Sequence, residues 1–134
     1  MEVLKINYEV NVSDEDIDDI VATAFEGGFT YWCNAAKVVG KKLGKYTSDQ
    51  ISRGGKITIW VSEPFDDKDT KKCELTKPKF MKGLKMYLEN PNAPYNILTY
   101  DEETNKPIVD TAEVDADVAD MILQYALFGE IIYG

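Results

Sequence analysis

Leu4, Ile6, Tyr8, Val10 and Val12 alternate strictly with Lys5, Asn7, Glu9 and Asn11. A period of two puts every apolar side chain on one face, so the stretch predicts a half-buried strand. After Ser13 the period changes. Ile17, Ile20, Val21, Ala24 and Phe25 recur at helical spacing behind a hydroxyl cap and the acidic first turn Asp14-Glu15-Asp16, and Gly27-Gly28 end the run. Phe29 to Cys33 is apolar and aromatic without a clean period. It reads either as a buried connector or as the opening of a second helix running through Val38-Val39.

Gly40 and Gly44 break the following segment into a lysine-rich loop. Lys56 to Val61 and Lys72 to Leu75 predict strands, with Glu63 to Asp69 as a polar hairpin loop between them. Trp60, inside a run of alternating apolar residues, is expected in the core. Thr76 caps a helix with Pro78 in its first turn and Phe80, Leu84, Tyr87 and Leu88 on its apolar face; Asn90-Pro91 stop it. Residues 91–106 read as an irregular excursion. A short strand near Ile108-Val109 precedes a last helix, capped by Asp115, carrying Val118, Ile122, Tyr125 and Ala126, and ended by Gly129. Ile131 and Tyr133 suggest a final edge strand. With no repeat or linker, residues 1–134 predict one α+β domain, a small, mostly antiparallel sheet packed with about three helices.

Composition narrows the chemistry. The chain has no histidine, which removes Ser-His and Cys-His nucleophile pairs and the ordinary zinc sites. Cys33, beside Phe29, Tyr31 and Trp32, has no imidazole to activate it. No catalytic group, metal or cofactor is therefore expected, and the protein reads as a non-enzyme. Two cysteines are too few for a disulfide framework, and no signal-peptide layout or membrane-length run is present, so the expected setting is the cytoplasm.

The formal charge of −9 argues against direct binding of DNA, RNA or an anionic membrane. The average conceals a pattern. Residues 37–85 hold 13 cations against 6 acids, whereas residues 1–36 hold 1 against 8 and residues 86–134 hold 1 against 10. The plain explanation is solvation of different surfaces; the functional one is a basic site between acidic faces.

Within that basic segment the sole arginine, Arg53, sits in Ser52-Arg53-Gly54-Gly55-Lys56. A guanidinium fork beside two glycines suits an anion, with Ser52, Lys56 and backbone N–H groups as further donors. Lys42, with Lys37, Lys41 and Lys45, raises the local potential. Walker and Rossmann spacings are absent, and an ordinary turn with an exposed arginine accounts for the same residues. Tyr31 and Trp32 offer rings for stacking on a base, or simply core packing. Together these residues, Arg53, Ser52, Gly54, Gly55, Lys56, Lys42, Tyr31 and Trp32, are the components of a nucleotide pocket. The acidic run Asp14, Asp16, Asp18 and Asp19 serves helix dipole and solubility, or else imitates nucleic-acid phosphates on a protein-binding face.

Three stretches, Glu26-Gly27-Gly28-Phe29-Thr30-Tyr31-Trp32-Cys33, Gln50-Ile51-Ser52-Arg53-Gly54-Gly55 and Tyr125-Ala126-Leu127-Phe128-Gly129-Glu130, resemble a family of small acidic proteins of phages and prophages of gut bacteria. The resemblance runs from Ser13 to the C-terminus and brings no catalytic residues. What it implies is an accessory role against host immunity in the host cytoplasm. The first expectation is a counter-defence protein that sequesters an anionic nucleotide-type signal. The second is an acidic, anti-CRISPR-like inhibitor that binds a host defence protein directly, and the third a phage structural or morphogenetic accessory. The apolar C-terminal residues Phe128, Ile131, Ile132 and Tyr133 favour a homo-oligomer or complete the core.

Overall fold

A computed structural model describes residues 1–4, 7–63 and 66–134, the side chains of 62, 63 and 66–70 excepted. Helix α1 spans Asp14–Thr23 and starts where the sequence puts it. Ser13 Oγ accepts from the Asp16 N–H and Asp16 Oδ2 accepts from the Ser13 N–H, both at 3.0 Å, so two otherwise orphaned donors are satisfied reciprocally. Ile17, Ile20 and Val21 face inward. A single wide turn, Ala24–Gly28, brings the chain round to Phe29.

Phe29 and Trp32 are buried, so the connector reading holds up to Trp32. Beyond it the chain forms strand β1, Cys33–Val39, and the expected second helix is absent. Asn34-Ala35-Ala36-Lys37 tolerates a helix locally, but pairing with the strong strand formers downstream prevails. Strands β2, Lys56–Glu63, and β3, Asp66–Leu75, complete an antiparallel sheet ordered β1-β2-β3, with the one-turn helix α2, Asp49–Ser52, between β1 and β2. Pro64 and Phe65, at the tip of the expected hairpin loop, lie outside the described residues. Strand pairing reaches Glu63 and Asp66, so the hairpin is tighter than the sequence suggests. Ile57, Ile59, Val61 and Leu75 project from one face of the sheet into the core.

Helices α3, Lys77–Glu89, and α4, Ala116–Phe128, cover that core. Thr76 and Asp115 cap them through bonds to the Lys79 and Val118 N–H groups. Gly129 ends α4 at φ 73°, a conformation that costs an L side chain energy. The two helices touch at Gly83, where an added Cβ would lie 2.5 Å from the Ile122 carbonyl oxygen and 2.6 Å from the Ala126 nitrogen. Only hydrogen fits there. Each fully buried Ile or Leu along this contact contributes on the order of 1.5–3 kcal/mol.

Two end segments depart from expectation. The described part of the predicted N-terminal strand forms no strand; Asn11 makes one parallel bridge to Ile108, its N–H donating to the Pro107 carbonyl at 2.9 Å. Lys5 and Ile6 lie outside the described residues. Strands β4, Leu98–Tyr100, and β5, Pro107–Val109, form a separate ribbon only three residues long, too short an edge to extend the pairing. Val10 and Val12 pack against the core, whereas Leu4 and Tyr8 remain exposed. At the other end, Ile131 and Tyr133 make no edge strand. Gln124 Oε1 accepts from both the Ile132 and Tyr133 N–H groups at 2.8 Å, removing the donors that a ladder would need.

The four α-helices and five strands among the described residues thus form a single α+β domain around one core. No helix among them is long and apolar enough to cross a membrane. Replacing Gly83 by Ala is expected to force α3 from α4 and to lower stability by roughly 1–3 kcal/mol, read as a fall in the urea midpoint with unchanged slope.

Candidate binding surfaces

The Arg53 turn is built by α2 and the loop before it. Buried Gln50 accepts from the Leu43 N–H at 2.9 Å and donates to the Lys41 carbonyl at 3.1 Å. Arg53 Nη1 donates to the Leu43 carbonyl at 2.9 Å. These two side chains therefore hold the lysine-rich loop against α2. The Gly54 and Gly55 N–H groups, expected to approach an anion, donate instead to the Ile51 and Gln50 carbonyls at 3.0 and 2.9 Å. Ser52 is buried, with its hydroxyl on the Asp49 carbonyl. Lys56 pairs with Glu74 at 3.5 Å, and Lys42 stands exposed on the loop. The donors chosen from sequence are neighbours, but several already have partners within the turn.

Tyr31 and Trp32 belong to a different place. Trp32 is only 2% exposed, and its Nε1–H donates to Asp120 Oδ1 at 2.6 Å. Its ring lies parallel to Tyr133, with centroids 5.4 Å apart, and meets Phe29 and Phe128 edge-on. The Tyr31 hydroxyl donates to Asp120 Oδ2 at 2.5 Å, while Gln124 Nε2 donates to Asp120 Oδ1 at 2.9 Å and to the Tyr133 carbonyl at 3.0 Å. The Trp32 ring is thus closed to a base, whereas Tyr31 engages only its hydroxyl and keeps an exposed ring. The sequence reading missed Asp120 and Gln124 as a unit. Their signal was two polar residues at i and i+4 within an otherwise apolar stripe of α4.

Burial first, then the hydrogen bond to Asp120 and its charge, raises the Tyr31 phenol well above its ordinary value. Burial likewise pushes the Cys33 thiol up, which keeps it in the unreactive form. Cys33 on β1 and Cys73 on β3 are separated by the intervening β2.

The acidic helix divides into two functions. Asp14 pairs with Lys77 at 3.1 Å and Asp16 completes the cap, so both serve the fold. Asp18 and Asp19 line a hollow of about 540 Å³ with Glu26, Asp49, Phe25 and Tyr46. Asp18 Oδ1 is shielded there without a hydrogen-bond partner. A second hollow of about 920 Å³ lies between the N-terminal segment and α3, lined by Tyr8, Val10, Leu84 and Leu88 with Lys82 and Lys85. Neither hollow is lined by any residue of the sequence-predicted nucleotide set. Among the described residues, no group of three or more His, Cys, Asp or Glu side chains is placed to hold a metal ion.

Asp120→Ala strands the buried Trp32 N–H and is expected to cost about 3 kcal/mol of stability, with Asp120→Asn costing less; chemical denaturation of the pair measures the difference. A raised phenol value means that the folded state holds the Tyr31 proton more tightly than the unfolded chain does. Its contribution is present in full below the unfolded phenol value of about 10 and fades as pH rises further. Unfolding curves at increasing alkaline pH should therefore show a loss in the wild type that is smaller in Tyr31→Phe, where the raised Cys33 and Tyr87 groups remain.

No family model, curated protein or solved structure matches this chain.

Proposed function

We propose that this protein is a non-enzymatic counter-defence inhibitor that lays an acidic face on the basic, nucleic-acid-binding surface of a host defence protein. The observation that carries the reading is the meeting of the chain's two acidic ends. Thr111 Oγ1 donates to Asp19 Oδ2 at 3.4 Å, which joins α1 to the turn Thr111–Glu113 before α4. Gly28 meanwhile sits against the Ala116 carbonyl, close enough that an added Cβ would lie 2.7 Å from it. Asp19 and Glu26 from one end and Glu113 and Asp117 from the other are thereby exposed on adjoining elements.

The ion pairs among the described side chains are Lys56–Glu74 and Lys77–Asp14, and neither involves these four carboxylates. Crowded, unpaired like charges cost the free protein self-repulsion, which a cationic partner relieves. Rows of carboxylates suit a channel built to receive phosphates. The setting in phage counter-defence comes from the sequence resemblance, and the lack of a histidine-based catalytic set fits a binding role. Sequestration of a nucleotide at Arg53 is less well supported, because the turn's glycine donors and the Trp32 ring are engaged internally.

The test is competition. Purified nucleic-acid-guided and restriction effectors are loaded with labelled DNA, and anisotropy follows its displacement by the protein. At least one effector should release DNA, and added salt should weaken the effect. Changing Asp19, Glu26, Glu113 and Asp117 to their amides should weaken displacement about tenfold or more. Undiminished displacement by that folded variant would sink the proposal.

A further inference from the structure

The three-stranded sheet has one face on the core and one turned away from it. Residues directly opposite in antiparallel strands share a face, as do residues two apart along a strand. Ala35, Trp60 and Lys72 form one row across the sheet, and Lys37, Thr58 and Glu74 form the next. Both rows alternate with Ile57, Ile59 and Val61, which are at most 1% exposed in the core. Trp60 therefore stands half-buried in the middle of the outer face, which corrects its expected place in the core. The Lys56–Glu74 contact at 3.5 Å confirms that these side chains share that side.

We propose that this outer face binds single-stranded nucleic acid, with a base stacked on Trp60 and the backbone held by Lys37 and Lys72. The inference goes beyond the acidic-face reading and does not depend on it. Three features of the face carry it. An indole in the central strand presents a planar surface that accepts any base. On the β1 side its row neighbour is Ala35, whose short side chain leaves the approach open, while Lys72 flanks it on the β3 side. Lys37 and Lys72 are exposed and pair with no carboxylate among the described side chains, which leaves their charge to phosphate.

The shape of the surface selects a strand over a free nucleotide. Trp60 lines neither described hollow, so a mononucleotide would meet one ring and few enclosing groups. A strand gains contacts along its length. The cations continue from Lys72 past Lys37 and Lys56 to the exposed Lys41 and Lys42, which follow directly after β1. Along this run the described side chains set five lysines against Glu74, opposite in sign to the chain as a whole. The acidic helices lie across the sheet on its core side, and at ordinary salt their field is screened within about 8 Å.

Oligothymidylate and oligouridylate, titrated at low salt, should quench tryptophan emission, with buried Trp32 as a constant background. Trp60→Ala should weaken binding, measured by labelled-oligonucleotide anisotropy, roughly fivefold to a hundredfold, and Trp60→Phe less. Lys37→Gln with Lys72→Gln should lower the slope of log affinity against log salt by roughly 1.4, about 0.7 per phosphate contact. Glu74→Gln should strengthen binding, and thermal unfolding monitors the folding of every variant. The proposal is overturned if the wild type binds neither oligomer, if the folded Trp60 and lysine variants bind as the wild type does, or if thymidine monophosphate binds as tightly as the oligomer.

Discussion

One buried carboxylate organises the half of the molecule in which the chain's two end regions meet. Asp120 takes hydrogen bonds from the Trp32 indole, the Tyr31 hydroxyl and the Gln124 amide at once. A carboxylate in an apolar interior is costly unless its oxygens are satisfied, and here three donors from two separate elements meet that demand. The same Gln124 holds the backbone of Ile132 and Tyr133, and Tyr133 lies over Trp32. The Phe29–Cys33 segment, α4 and the C-terminal tail are thus a single unit. Loss of the carboxylate would loosen all three.

The resulting molecule is bipolar. Acidic groups from both ends gather around α1 and the start of α4 because Asp19 and Thr111 come into contact and Gly28 admits the α4 backbone. The lysines of the central segment go to the sheet, the loop held by Gln50 and Arg53, and α3. A net charge near zero on each face would have favoured stability alone. Separation of the signs instead underlies the two binding faces proposed above, one for cationic partners and one for phosphate.

Arg53 illustrates how a chemically distinctive residue can have a local structural task. Its guanidinium, together with Gln50, satisfies the backbone of the lysine-rich loop, and the adjoining glycine N–H groups close the turn. The ordinary-turn alternative accounts for most of that segment. Trp32 and Trp60 show the reverse exchange: the tryptophan read as a ligand platform is core, and the one read as core stands on an open face. Periodicity alone places Trp60 opposite its apolar neighbours Ile59 and Val61, but it does not say which side of a strand is buried.

Helix boundaries were legible in the sequence because their causes are local. Ser13, Thr76, Asp115 and Gly129 act within a few residues of themselves, through side chains or a backbone angle that no distant partner supplies. The same locality explains the β2–β3 hairpin. What required the tertiary structure was every choice that depends on a remote partner: whether Asn34 to Val39 pairs as a strand, whether the alternating N-terminal segment finds an edge, and which face of Trp60 meets water. Those outcomes are set by the register between distant segments, and such terms have no signature in a local window.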